Sequence, residues 1–485
     1  MYDLLAVLVS LALLMYLAFR GMTLILLGPA AALLAVALTG SLPILASYTQ
    51  IFMGNAGQFI IAFFPLFMLG AIFGRLMDDT GSAQSIARSV SGWLGRDRAI
   101  ASVVICCAVL TYGGVSAFVV AFAVFPLAAA LFRDAGIPKR LIPGAIALGA
   151  FSFTMTALPG TPAIQNAIPM PFFGTTAFSA PGLGILASII MFLLGMAWLN
   201  RRAAQARAKG EGYGGLSTEL VPEPDIVMRE HAQTTGYDLN ELPEQRPAAA
   251  ELPPFWLAIL PIVVVIVANL VFTQVIVPLW DTSFLAEPLF GATTIESVRG
   301  IWAVIVGLFL AILLLIFGNW RRLTDLRASL DQGTDASVLP IFNTASLVGF
   351  GAVIAALPVF SKIADAVLTI GGGSALVSVA GSVAILSAIT GSASGGMSIA
   401  LESLGPSLVA MAQANGTSLD AMHRITALAS GALDVLPHSG AVITLLAVCG
   451  VTHAQSYFDV MMTSLAAPFI ALVVTILVAS LVGSF

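Results

Sequence analysis

Ionisable side chains are scarce in the apolar stretches of this sequence, and two of them stand four residues apart, in Asp434-Val435-Leu436-Pro437-His438. A charge at membrane depth is costly unless paired or hydrated, so an ionisable residue there is read first as a functional group. Spacing of four puts two side chains on one face of a continuing helix, although Pro437 interrupts this one. Histidine titrates near neutral pH, which makes Asp434 and His438 the first candidates for carrying a proton. The competing reading is that the pair only pins the broken backbone by hydrogen bonds. Glu402 is a second proton candidate, against a reading in which it sits near the interface or pairs locally. Lys362, Asp365, His423 and Arg424 read as helix-end residues, where snorkelling to water suffices.

Four short stretches of small residues offer a different chemistry. Two are Thr111-Tyr112-Gly113-Gly114-Val115-Ser116 and Thr390-Gly391-Ser392-Ala393-Ser394-Gly395-Gly396. The others are Leu158-Pro159-Gly160-Thr161-Pro162-Ala163 and Leu436-Pro437-His438-Ser439-Gly440-Ala441. Proline removes a backbone donor and glycine lets the chain leave helical geometry, so helices should break at all four. N–H groups freed at half-helix starts, with the positive dipole end, bind an anion without lysine or arginine. A small carboxylate suits such a site. The hydroxyls of Ser116, Thr161, Ser392, Ser394 and Ser439 would bond the hydroxyl groups of a polyol or hydroxy acid. The candidate substrate site is therefore Tyr112, Gly113, Gly114, Ser116, Gly160, Thr161, Thr390, Gly391, Ser392, Ser394, Gly395, His438, Ser439 and Gly440. Any one of these alone is as well explained by close helix packing. Recurrence at corresponding broken positions favours the site.

The elements that would position these groups are membrane helices. Of 485 residues, 59% are hydrophobic and 9% charged, against roughly a quarter charged in soluble domains. Apolar runs give ten expected crossings, near 3–19, 22–39, 56–74, 141–172, 181–199, 254–279, 300–318, 338–357, 422–450 and 459–482. Blocks 99–132 and 373–413 are each too long for one crossing and carry a small-residue stretch inside, which reads as a re-entrant hairpin; two short crossings are the alternative. Lys and Arg cluster after residue 19, around 99–132, after 199 and after 318, which places those ends in the cytoplasm and both termini outside. Residues 203–253 read as a flexible polar cytoplasmic linker.

Several classes are excluded. Ten-residue alternation is absent, against an outer-membrane barrel. A net charge of -5 without a basic run argues against nucleic acid. Cys106, Cys107 and Cys449 lack any metal or disulfide spacing, and no cofactor or metal site is expected. The acidic pair Asp78-Asp79 lies in a basic loop, which leaves a metal enzyme unsupported. Met1-Tyr2-Asp3 lacks the positive n-region of a signal peptide, so the first apolar run reads as a retained helix.

A constant shift of 278 residues lays the second half on the first: Gly113 on Gly391, Ser116 on Ser394, Leu158 on Leu436, Pro159 on Pro437, Ala163 on Ala441. Five crossings and one hairpin per half is an odd number, so the halves, 1–200 and 254–485, insert with opposite orientation. Inverted repeats with interrupted membrane segments are the signature of a secondary transporter, with the substrate at the interruptions.

At these residues the sequence resembles the gluconate permease family of proton symporters for hydroxy acids, within the ion transporter superfamily. The resemblance runs over roughly 56–200 and 335–465 and includes Phe64-Pro65-Leu66 to Gly81, Asp134-Ala135-Gly136-Ile137-Pro138 and Ile389-Thr390-Gly391-Ser392-Ala393-Ser394. It implies an all-α polytopic fold and a homodimer, in which a scaffold carries a mobile domain of two hairpins and two broken helices, moving like an elevator. Gluconate transporters carry a proline-flanked histidine in the first broken helix, where this chain has Pro159-Gly160-Thr161-Pro162; here the histidine is His438, in the second. That departure leaves gluconate and a smaller acid such as 3-hydroxybutyrate as alternatives.

The expected function is proton-coupled uptake of a small hydroxy monocarboxylate across a bacterial-type inner membrane. Sodium coupling at unwound backbone and an uncoupled anion channel remain open. An intramembrane hydrolase with Ser392 or Ser394 and His438 as a dyad is disfavoured, because Ser394 has a repeat counterpart in Ser116 whereas His438 falls on Gly160.

Overall fold

The computed structural model describes residues 2–19, 22–95, 98–214, 252–362, 371–437 and 439–485. Helix dominates throughout, as the apolar runs require. The first half comprises α1 (Tyr2–Phe19), α2 (Leu24–Thr39), α3 (Ile44–Asp79), α4 (Ser82–Leu94), α5 (Ala99–Tyr112), α6 (Ala117–Asp134), α7 (Ile142–Ala150), α8 (Ile164–Ala167), α9 (Pro169–Phe173) and α10 (Pro181–Ala208). The second comprises α11 (Phe255–Leu279), α12 (Ile295–Gly318), α13 (Leu326–Ala356), α14 (Ala375–Thr390), α15 (Ala393–Ala414), α16 (Leu419–Ser430), α17 (Gly440–Cys449) and α18 (His453–Val482). Six of these, α3, α10, α11, α12, α13 and α18, are continuous helices long and apolar enough to cross a bilayer. The expected crossings at 141–172 and 422–450 are both interrupted: residues 151–163 hold only the single turn Phe153–Thr156, and residues 431–437 are not helical.

Both apolar blocks fold back on themselves at the small-residue stretches. Residues 113–116 join α5 to α6 and residues 391–392 join α14 to α15, and the two arms of each pair pack together. Glycine is required at these points. Gly114 turns the first tip at φ 96°, and in the second hairpin a side chain on Gly396 would collide with the Ser387 backbone on the facing arm.

Packing follows a reciprocal pattern between the halves. The helix α3 lies along α13, α2 rests on α13 and α12 on α3. Ser346 of α13 donates to the Leu24 carbonyl of α2 at 2.8 Å, where Gly28 lets the helices close. Among the hairpins, α5 packs on α7 and α14 on α16, while α6 meets α17 and α15 meets α8 and α9. Each hairpin thus touches the first piece of its own half's broken helix and the second piece of the other's.

Two expectations are amended here. The linker begins later than 203, because α10 continues to Ala208. Its first residues turn back: Glu211 takes both Nε and Nη2 of Arg140, at 2.6 and 2.9 Å, and the Tyr213 carbonyl accepts from Lys139 N. Residues 82–94, where no element was expected, form α4, whose Ala83, Ile86, Ala87 and Val90 are buried; α4 packs on α5 and α11.

Candidate functional site

Both hairpin tips and both helix breaks meet at one cavity of about 220 Å³. Drug-sized ligands occupy roughly 300–1,000 Å³, so this space fits a smaller molecule. Gly114, Ser116 and Ala117 come from the first tip and Ser392, Ala393 and Ser394 from the second. Ala163, Ile164 and Gln165 come from the first break, and Asp434 and Ala441 from the second. The far wall is helix surface of α3, at Leu66, Phe67, Gly70 and Ala71, and of α13, from Ala336 to Leu347.

The inner side of this cavity is made of half-helix starts. The first helical bonds are Val120 N to Ser116 O in α6 and Ile443 N to Ser439 O in α17, so the N–H groups before them have no partner within the helix. Neither N-cap serine turns its hydroxyl on its own helix: Ser439 Oγ donates across to the Gly391 carbonyl at 3.1 Å. In α15 the cap is filled, with Ser392 Oγ accepting from Gly395 N at 3.2 Å. The dipoles of α6, α15 and α17 all present positive ends here.

Three residues that line the cavity each carry a buried polar atom with no hydrogen-bond partner among the described residues: Thr111 Oγ1, Asn343 Nδ2 and Asp434 Oδ1. Their residues are 4%, 3% and 6% exposed. Buried polar groups in folded proteins are nearly always satisfied, and those left over need a partner supplied from elsewhere.

Of the expected site residues, Gly114, Ser116, Ser392, Ser394 and Asp434 line this space directly. The others stand behind it as supports. Tyr112 Oη donates to the Pro159 carbonyl at 2.8 Å, tying the first tip to the first break. Gly113 admits Ile262 of α11, and Gly160, at φ 81°, donates to the Ala177 carbonyl at 2.8 Å. Thr161 is fully buried and accepts from Ala163 N, while Thr390 Oγ1 donates to the Leu386 carbonyl. Gly391 ends α14 in the left-handed region, Gly395 packs on Leu347, and Gly440 opens α17. His438 lies outside the described residues, and with it the expected contact to Asp434 and the Ser–His dyad. Residues 431–437 leave helical geometry, so the spacing from Asp434 to His438 is not that of one helix face.

Glu402 is elsewhere. It borders a separate cavity with Pro171, Phe172, Leu401 and Pro406. The helix-end reading of His423 and Arg424 is overturned, since both are wholly buried. Arg424 donates to the carbonyls of Ala177 and Ser179 and to Asn166 Oδ1 at 2.8–3.2 Å. His423 meets Thr175 Oγ1 at 2.6 Å and Asn166 Oδ1 at 3.1 Å. The cluster anchors the chain after the first break to α16. Neighbours at 423 and 424 read as a helix end in one dimension; only the folded chain shows that polar loop atoms wait for them inside. Thr111 stands at the edge of the first small-residue stretch, and Asn343 was missed because it lies outside all four stretches, although a lone amide in an apolar span is a signal too.

The acidic pair Asp78-Asp79 has structural work. Asp79 is 3.0 Å from Arg75 Nε and accepts from Ser329 Oγ at 2.6 Å. Among the described residues no group of three His, Cys, Asp or Glu side chains could hold a metal ion.

A helical chain that crosses the membrane many times and places interrupted segments around one central cavity is built as a multi-pass membrane transporter. Its sequence is 42% identical over 464 residues, 94% of this chain and 95% of the relative, to a Bacillus subtilis (strain 168) protein described as "Uncharacterized transporter YxjC". The chain belongs to the family of that transporter, and it is not an enzyme. No family model matches it.

Proposed function

We propose that the protein is a proton-coupled importer of a small hydroxy monocarboxylate, of the gluconate or 3-hydroxybutyrate type. The observation that carries this reading is the cavity itself: half-helix starts from both tips and both breaks surround it, and Asp434, with a buried carboxylate oxygen that has no partner among the described residues, is part of its lining. N–H groups and dipole ends take the substrate carboxylate, aided by the hydroxyls of Ser116, Ser392 and Ser394. Asp434 supplies the coupling. Ionised, it stands beside the incoming anion and repels it; protonated, it is neutral and becomes a donor. Substrate and proton therefore bind together, and His438, four residues on, is the group through which the proton reaches it.

In this reading residues 1–200 and 254–485 are inverted repeats, and the polar chain that follows Ala208 up to residue 253 is a cytoplasmic linker. The hairpins and broken helices form the mobile unit and α2, α3, α12 and α13 the scaffold, in a homodimer moving like an elevator in a bacterial-type inner membrane, termini periplasmic. The sequence resemblance to the gluconate permeases supports the same assignment. A second reading, sodium in place of the proton, is favoured by one feature: Asp434 sits in unwound backbone, where carbonyls and a carboxylate together suit a cation.

Uptake of labelled gluconate and 3-hydroxybutyrate into proteoliposomes tests the proposal, under an imposed pH gradient and separately a sodium gradient. Accumulation under the pH gradient is expected. Accumulation under sodium alone assigns the cation, equilibration without accumulation would make the protein a channel, and uptake of neither acid would end the hydroxy-acid reading.

A further inference from the structure

Ser394 of α15 lines the central cavity, and further along the same helix Glu402 borders the second one. At about 100° per residue, Ser394, Ser398, Glu402, Gly405 and Val409 fall within about 80° of one another around α15. The neighbours of α15 show where this face points. Gly396 abuts Ser387 of α14, and Gly395 and Ile399 abut Leu347 and Gly351 of α13, so those faces are taken, whereas Gly405 meets Phe172 of α9. The face therefore runs along α8 and α9, where Ile164 and Gln165 line the central cavity and Pro171 and Phe172 the second. One seam connects the two cavities, between the second hairpin and the piece of the first broken helix that follows its break.

Two polar groups on this seam are unsatisfied. Ser398 is 2% exposed and its Oγ has no partner among the described residues, unlike Ser403, whose hydroxyl donates to the Ile399 carbonyl of its own helix. Glu402 is half-buried, and its carboxylate has no hydrogen bond or ion pair among the described residues. Side chains tilt toward the helix N-terminus, so Glu402 leans over Ser398 and Ser398 towards Ser394. Residues four apart stand about 5–6 Å from each other at Cβ, a gap that one bridging water closes. No other charge faces the seam: α8, α9 and α14 carry no ionisable residue. Arg327, Asp331 and Asp335 of α13 lie more than four turns before Gly351; Asp420 of α16 is exposed, and its His423 and Arg424 are turned to Asn166 and the loop after it.

Resting on the proton-coupled reading above, we propose that this seam is the entrance by which the proton reaches the substrate cavity. Glu402 takes the proton at the second cavity and passes it on towards Ser398. Ser398 accepts it at Oγ and gives up its own hydroxyl proton towards Ser394, so the serine is unchanged and Glu402 returns to a carboxylate. From the central cavity the proton goes on to His438 and Asp434. In the orientation proposed above the mouth of the seam is periplasmic, since α9 lies beyond the break from Arg140. A route walled by Phe172, Leu401 and Val409, with a carboxylate at its mouth, admits a proton and turns an organic anion away.

The test compares two rates in proteoliposomes, for labelled 3-hydroxybutyrate and labelled gluconate: uptake driven by a pH gradient, and counterflow exchange, which needs no net proton movement. Glu402→Gln and Ser398→Ala should each slow proton-driven uptake by about 10-fold and leave counterflow within about twofold. Ser398→Thr, which keeps the hydroxyl, should restore the rate. The double variant Glu402→Gln with Ser398→Ala should be no slower than Glu402→Gln alone, because both groups lie on one path. Counterflow also reports that each variant has folded and inserted. A normal proton-driven rate in either single variant, or a loss of counterflow equal to the loss of driven uptake, overturns the path while leaving the transport reading intact. Failure of the wild type to accumulate either acid under a pH gradient overturns the proton-coupled reading itself.

Discussion

Replacing Asp434 by asparagine removes a charge while keeping the shape of a side chain that is almost wholly buried at the cavity wall. The expected effect follows from the size of the space. In a rounded cavity of about 220 Å³ a carboxylate at the centre stands about 7 Å from the side chains that line it, Asp434 among them. At an effective dielectric constant of about 20, two like charges at about 7 Å repel by about 2.4 kcal/mol, or about 50-fold in affinity. The wild type should therefore bind its anion more tightly as pH falls, approaching that ratio between the fully ionised and fully protonated states of Asp434. In Asp434→Asn the dependence should vanish, with alkaline affinity rising to the acid value. Counterflow exchange of labelled for unlabelled substrate should survive, because it needs no net proton movement. Accumulation driven by a pH gradient should be lost. An asparagine variant that still accumulates substrate under a pH gradient, or a wild type whose affinity is flat with pH, would refute the electrostatic coupling.

Ser116→Ala and Ser394→Ala should each weaken substrate affinity by about 3- to 10-fold, one neutral hydrogen bond's worth, in the same binding assay. His438→Ala should abolish proton-driven accumulation while leaving the protein inserted, and normal accumulation would remove His438 from the proton path. Gly396→Ala should destabilise the second hairpin by about 1–3 kcal/mol, because its Cβ meets the Ser387 backbone rather than a yielding side chain; thermal unfolding in detergent measures this. The Arg140 guanidinium holds the Glu211 carboxyl below the ordinary value of 4.5, so the ion pair's stabilisation is complete above that pH and is lost as pH falls through the lowered value. Glu211→Gln should erase that acid-side slope in a thermal unfolding series from pH 3 to 8.

Six of the ten expected crossings, found as helices long and apolar enough to cross a bilayer, and both fold-backs were legible because their signals are local. A run of apolar residues must be helical where no water can satisfy its backbone, and a glycine–serine stretch in the middle of one has nowhere to go but a turn. The breaks were legible for the same reason: Pro159 and Pro437 each delete a donor that only a neighbouring segment can replace. The helix α4 was missed because serines and an arginine cut its sequence into short apolar pieces, so no long hydrophobic run announces it, although Ala83, Ile86, Ala87 and Val90 recur at helical spacing on its buried face. Its partners α5 and α11 lie far apart in sequence, and its helicity rests on packing against them.

The site was legible only in part, and the division has a physical cause. Ser116, Ser394 and Asp434 belong to chain interruptions, where a sequence itself shows that backbone groups are unmet. Asn343 lies within a long helix that Pro340 does not break, so no interruption of the chain marks its place; its Nδ2 has no partner among the described residues. Arg424 is the opposite case. By residue type it should seek water, yet Ala177, Ser179 and Asn166 converge on it from a loop about 250 residues earlier and satisfy it inside. Three-dimensional convergence thus gives the arginine its partners and leaves the asparagine without one. A buried polar group's partner count, more than its charge, separates what holds this transporter together from what waits for its cargo.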